Sequence, residues 1–335
     1  MVSYRTGLAK VGITKTAAVS YRAFSSRPKS LRQAIRSMDA PTTQQWSQVS
    51  DTFRDDYWTD EVQGVACDGK HWIFSANANQ SKVGHNDKAI YVFKRGRTLA
   101  DGNWVSMVKY KNVPHPVPGT TENDDHWGQV TYFEGFVYVA HFWKDSHPKD
   151  TANVIVFKDT NGVLEFKEWI ELEKPTSSDG RHAKAEFQAI NPWNGMFYTC
   201  FGSGEIRELF MHDRSSGTWT GQTLELRPPV EKVQGACFSP NGHLYIATND
   251  TLPGDSRYQT IWYYSALNGH RFGAIPVLAE EGMPDQELEG NCYADVTVPG
   301  GKRAQIHVVL LEGGGVLGLD NIFFKSFAST RPDLV

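Results

Sequence analysis

The stretch VQGACFSPNGHLYIATND, residues 233–250, is a hairpin written out in sequence: an apolar strand, a turn at Asn241-Gly242 and a second apolar strand returning. Asn-Gly between β-branched and aromatic runs supplies the positive-φ residues that a tight hairpin turn needs. Variants recur at EVQGVACDGKHWIFSAN (61–77, turning at Asp68-Gly69), HWGQVTYFEGFVYVAHF (126–142, Glu134-Gly135), EFQAINPWNGMFYTCFG (186–202, Asn194-Gly195) and ELEGNCYADVTVPGGKRAQIHVVLLE (287–312). A chain that repeats one supersecondary unit cannot bury the unit's faces within that unit, so the copies must cover one another.

Most copies continue into two more strands. AIYVFKRG (89–96) and WVSMVKY (104–110) follow the first, NVIVFKDTNG and FKEWIEL the second, RELFMHDRSSG and TLELRP the third, and TIWYYSALNG and FGAIPVLAE the fourth. The fifth is followed only by NIFFKSFAS, one strand short, while QWSQVSDTF (45–53) stands ahead of the first repeat with no hairpin partner. Four strands per unit at regular spacing is the sequence signature of a β-propeller. Residues 45–335 therefore resemble an all-β, five-bladed β-propeller of four-stranded blades, the last blade closed by the N-terminal strand. A sixth blade would have to lie within connections read here as short loops.

Aromatic residues at 12% and 30 glycines suit short strands and tight turns. A net charge of −4 points to no nucleic-acid partner, and no apolar run reaches the ~18–20 residues of a transmembrane helix. Residues 1–44 stand apart. Positions 1–38 carry Arg5, Lys10, Lys15, Arg22, Arg27, Lys29, Arg32 and Arg36 with no Asp or Glu. This is the composition either of an organellar transit peptide, with Arg22-Ala23-Phe24-Ser25-Ser26 resembling a mitochondrial processing site, or of a plain basic arm on a cytoplasmic protein. Leu31, Ile35 and Met38 fall at helical spacing, which predicts a short amphipathic helix over 29–38. Of the cysteines Cys67, Cys200, Cys237 and Cys292, three occupy like positions of different repeats, which predicts buried thiols rather than disulfides or a metal site.

Aligned on their first strands, the repeats place Gln63, Gln129, Gln188, Gln234 and Glu289 in register, with Glu61, Trp127, Glu186, Lys232 and Glu287 two residues earlier. First strands of propeller blades are innermost, so these side chains are expected around a polar central channel and its mouth. Such a ring can hold a small polar ligand or a hard cation such as calcium, and each Gln can equally satisfy backbone groups between blades. The loops on the same face bring Asp124, Asp125, His126, His182 and Lys184, and Asn77, His85, His141, Trp143, Asp145 and His147. His126, His141 and His182 would serve as metal ligands or acid–base groups if they meet. Trp127, Trp143 and Trp193 would stack on a sugar or pack between blades.

No nucleophile elbow, HExxH, P-loop or paired-cysteine signature occurs. The hairpin CDGKHWIFSAN looks like the inner hairpins of five-bladed glycoside hydrolases, and LEGN is similar to the inner-strand Glu-Gly of metal-dependent lactonase propellers. The first resemblance implies two carboxylates, with Glu289, Glu61 and Glu186 as candidates and His126 as a further acid–base group. The second implies a cation held by Glu289, Asn291 and Asp125. The chain departs from the glycosidase pattern in carrying Gln at four of the five ring positions, where that family places aspartates. Three functions stay open: binding of a small polar molecule or glycan through Gln63, Gln129, Gln188, Gln234, Trp127, His141, Trp143 and His182; hydrolysis of a glycoside, ester or lactone; and a scaffold presenting the loop face to a protein partner.

Overall fold

The computed structural model describes residues 46–77, 88–117, 125–143, 151–175, 184–202, 204–252, 255–279, 286–312 and 320–330, the side chains of 251–257 excepted. The basic segment, with its transit-peptide and helix readings, lies outside the described residues, as do Asp124, His85, Asp145, His147 and His182.

Twenty strands form five four-stranded antiparallel sheets. Strand β1 (Trp46–Arg54) opens the described chain. Blade one is β2 (Val62–Cys67), β3 (His71–Ala76), β4 (Ala89–Lys94) and β5 (Trp104–Lys109), and blade two is β6 (Asp125–Phe133), β7 (Phe136–Trp143), β8 (Ala152–Thr160) and β9 (Val163–Leu172). Blade three is β10 (Ala189–Ile190), β11 (Phe197–Thr199), β12 (Ile206–His212) and β13 (Trp219–Val230), its inner hairpin the shortest of the set. Blade four is β14 (Val233–Phe238), β15 (His243–Leu252), β16 (Asp255–Ser265) and β17 (Arg271–Leu278). Blade five is β18 (Gln286–Thr297), β19 (Arg303–Glu312) and β20 (Asn321–Ser329), and β1 completes it, pairing with β20 from Trp46 opposite Ser329 to Arg54 opposite Ile322. The five-bladed propeller, its unpaired N-terminal strand included, is as the repeats predict.

The strands read as continuous apolar runs because each blade is covered on both faces. Successive side chains of a strand point to opposite faces, and in β3 Ile73 packs toward blade two with Val92, Trp127 and Phe157 while Phe74 packs toward blade five with Phe93 and Phe324. Five such clusters fill the five gaps between blades. Each fully buried aromatic or aliphatic side chain in them contributes about 1.5–3 kcal/mol. Just past β1, Trp58 inserts against blade one, 5.1 Å from Phe74 and 4.8 Å from Phe93, so the closing strand is fastened to the next blade as well. All four cysteines are buried and free, as their positions predict.

Around the axis the inner strands touch backbone to backbone. A Cβ on Gly64 would lie 2.6 Å from Val130 N, and one on Gly290 would lie 2.4 Å from Gly64 Cα and 2.0 Å from Gln129 Oε1. The register of the inner hairpin shifts at the ring position in blades one, two, four and five, between Val62 and Gly64, Trp127 and Val130, Val233 and Gly235, and Leu288 and Asn291. A bulge re-aims the side chain it carries, so here it decides which ring residues face the mouth.

Candidate functional site

The ring splits into two kinds of residue. Gln129, 1% exposed, runs across the axis and donates from Nε2 to Asn291 O (2.7 Å), Val130 O (2.9 Å) and Val65 O (3.2 Å), tying blades one, two and five together. Gln188, fully buried, donates to Tyr138 O (2.8 Å) between blades two and three. These two amides serve the backbone rather than an open channel, so the expected five-fold polar well is not formed. Gln63, Gln234 and Glu289 remain at the mouth side. Gln63 Oε1 is 2.9 Å from His126 Nε2, and Gln234 lines the mouth cavity.

That cavity, of about 400 Å³, lies over blades three to five and is lined by Lys184, Glu186, Lys232, Gln234, Asn249 and Glu287 among others. The sequence places these residues at the start of inner strands or the end of second strands, and antiparallel pairing brings those two kinds of position to one face. Lys232 and Glu61 hold equivalent places at the lip and both adopt left-handed backbone, with φ of 48° and 55°. Their carbonyls accept hydrogen bonds from Asn249 N (3.0 Å) and Asn77 N (2.9 Å). A non-glycine residue in this conformation costs on the order of 1–3 kcal/mol, a cost that clusters at functional positions.

Four glutamates converge here. Glu289 is 2% exposed, and burial, the charge and hydrogen bond of Glu287, and the charges of Glu186 and Glu61 push its carboxyl well above the ordinary range. It is therefore protonated where an exposed glutamate is ionised. Burial also raises Glu186, against the pull of Lys184, whose Nζ lies 2.7 Å from Glu186 Oε1. His126 Nε2 lies 3.8 Å from Glu186 Oε2, and its ring stacks on Phe142 at 4.7 Å. Glu61, Glu186, Glu289 and His126, predicted from separate repeats, thus meet at one mouth.

The other predicted residues do not join them. Asp125 is fully buried, its carboxylate bonded to Lys88 and to His141 Nε2 at 3.0 Å. Burial alone would raise it, but the hydrogen bond from His141 and the charge of Lys88 hold it below the usual carboxylate value. This locked trio, continued by Asn153 Nδ2 at 3.3 Å from His141 Nδ1, occupies both Asp125 and His141. Asn291 donates to Tyr245 O (3.3 Å) and faces a second, largely apolar cavity of about 60 Å³, which is also lined by Cys67, Cys237, Cys292 and Gln129. Glu289, Asn291 and Asp125 consequently do not assemble as ligands of one ion. Among the described residues no group of three or more His, Cys, Asp or Glu side chains is placed to hold a metal ion. Trp127 is fully buried, Trp143 is 6% exposed and donates to Thr151 Oγ1 (3.2 Å), and Trp193 donates to Pro240 O (2.8 Å). Trp127 and Trp143 are thus packed within the fold, while Trp193 is half-buried beside the Asn194-Gly195 turn of blade three, away from the mouth lining. Sequence reasoning passed over Asn249, whose one signal is that it holds the place in its repeat that Asn77 holds in the first, and Lys88, whose partner lies 37 positions away.

No family model and no curated protein matches this chain. Solved structures do. A subtype N11 neuraminidase-like protein from a flat-faced bat isolate is 12% identical over 85% of this chain and 93% of its own, with a TM-score of 0.47. A GH43 protein of Bacillus licheniformis is 10% identical over 83% of this chain and 54% of its own, with a TM-score of 0.49. A calcium-binding protein, regucalcin, of Agrobacterium tumefaciens is 8% identical over 79% and 75%, with a TM-score of 0.39. These likenesses speak to the fold alone. The chemistry has to be argued from the mouth itself, because identities this low carry no residue roles across.

Proposed function

We propose that the mouth of the propeller binds a small, hydroxyl-rich polar molecule of the sugar type. The observation that carries this reading is the set of four glutamates, Glu61, Glu186, Glu287 and Glu289, gathered beside a cavity of about 400 Å³ with one of them held protonated. A polyol presents hydroxyls that both donate and accept. Ionised carboxylates accept from them, Lys184 and Lys232 donate, and Gln234 and Asn249 do both. The volume falls within the range of small-molecule sites.

A second reading rests on the unequal protonation of the carboxyls. A buried protonated Glu289 beside the lysine-paired Glu186 is the acid and base division that glycoside and ester hydrolysis require. In that reading Glu289 donates the proton to the leaving oxygen, and Glu186 or Glu61 activates water. Calorimetric titration of the full chain with a panel of mono- and oligosaccharides, run beside a chromogenic glycoside, ester and lactone screen, separates the readings. Saturable binding that is lost in Glu186→Gln, without turnover, supports the binding module. Turnover abolished by Glu289→Gln supports the hydrolase. Absence of both for every member of the panel overturns the sugar assignment.

A further inference from the structure

Away from the mouth, the groove between blade five and blade one encloses a cavity of about 410 Å³ whose described lining contains three arginines, Arg54, Arg95 and Arg97, and no Asp or Glu. Five separate stretches of chain build it. Ser50, Thr52 and Arg54 alternate along β1 and share one face. Arg95 and Arg97 flank Gly96, whose φ of 77° lets the chain turn back so that Arg97 N donates to Lys94 O (3.2 Å). Trp72 and Phe324, edge to face at 5.0 Å, form the apolar wall, and Ser326 adds a hydroxyl.

Most of the other described arginines are ion-paired, and Arg271 lies over the Trp262 ring at 4.1 Å. Arg207, Arg214, Arg227 and Arg303 each pair with a carboxylate. Among the described residues none of the three at the groove has a carboxylate within 4.0 Å. Arg95 donates only to main-chain carbonyls, Gly69 O and Thr297 O (the latter at 3.3 Å). Arg54 influences Asp56 electrostatically without pairing to it, and its Nε is buried with no hydrogen-bond partner. In a chain of net charge −4, three guanidiniums collected around one cavity with no described carboxylate in ion-pair range repel each other and leave donors unused.

We propose that this groove is a second ligand site, which takes a small molecule bearing a phosphate or sulfate ester. Guanidinium forks match the oxygen geometry of such an oxyanion, the hydroxyls of Ser50 and Thr52 supply further donors, and the Trp72–Phe324 wall receives the organic part. The site is independent of the mouth and of what binds there.

The test is calorimetric titration of the full chain with phenyl phosphate, phenyl sulfate, inorganic phosphate and phenol. Saturable binding of phenyl phosphate or phenyl sulfate, whichever is tighter naming the ester, is expected, with weaker binding of inorganic phosphate and none of phenol. Removing one charged hydrogen bond weakens binding by about tenfold or more, so Arg97→Gln and Arg54→Gln should each do so, while Glu289→Gln should not. Arg97 is exposed and makes no side-chain contact, which keeps that variant folded. Failure of both esters to saturate, unchanged affinity in both arginine variants, or equal binding of phenol or of inorganic phosphate would overturn the proposal.

Discussion

Gly290→Ala should be among the most damaging single-methyl changes in the molecule. The added Cβ would sit 2.4 Å from Gly64 Cα, 2.0 Å from Gln129 Oε1 and 3.0 Å from Gln63 O, where non-bonded carbons need about 3.5–4.0 Å. Gln129 can swing aside only by giving up its bonds to Asn291, Val130 and Val65, and the Gly64 contact is backbone against backbone, relieved only if blades one and five part. Overpacking costs about 2 kcal/mol and each amide bond broken about 1 kcal/mol, which together give roughly 3–5 kcal/mol. Gly96→Ala is the control, since its Cβ meets open space and only the φ of 77° is penalised, by about 1–2 kcal/mol. Urea unfolding followed by tryptophan fluorescence measures both. A Gly290→Ala loss no larger than that of Gly96→Ala would refute the close-approach argument. Adding Gln129→Ala to Gly290→Ala should recover only part of the loss, because the Gly64 contact remains.

Glu289→Gln bears on pH. With its carboxyl raised in the folded state, Glu289 is neutral in both states below its ordinary pKa of 4.5, and above that the unfolded chain ionises first, so its contribution to stability falls as pH rises. The variant should gain stability relative to the parent between about pH 4.5 and neutrality, and a difference that stays flat across that interval in urea melts would sink the assignment. Lys88→Met strands the buried Asp125 charge and should cost about 3–5 kcal/mol, while Lys88→Met with Asp125→Leu should lose less than the sum of the single changes; additive losses would show that the pair is not coupled. Burial pushes the Cys67 thiol up to about 12 and raises Cys237 and Cys292 likewise, so native protein should resist alkylation by iodoacetamide at mildly alkaline pH, and labelling of these residues faster than global unfolding would contradict it.

The blades were legible because their signals are local: an Asx-Gly turn, apolar runs buried on both faces, and a leftover strand ahead of the repeats that matches the one missing after them. The meeting of Glu61, Glu186, Glu287 and Glu289 followed from symmetry alone. Symmetry failed at Gln129 and Gln188, whose residue type matches Gln63 and Gln234 but whose amides turn to backbone carbonyls of neighbouring blades. One trace of this is in the sequence: glycine follows the ring residue in VQGV, VQGA and LEGN but precedes it in WGQV. The Lys88–Asp125–His141 trio and the arginine groove join segments far apart in the chain, and no spacing rule links them.

The pairing of β1 with β20 sets an order of events during synthesis. The first strand of the described chain has its partner far along the sequence, Asn321–Ser329 opposite Trp46–Arg54. Four blades can assemble as they emerge, yet the emerging protein carries β1 as an unpaired strand until β20 arrives. Closure of so long a loop is slow, and an unpaired edge invites association with other chains. Loss of β20 would therefore remove two strands of blade five at once, and the nearly finished ring would behave as an unprotected sheet edge.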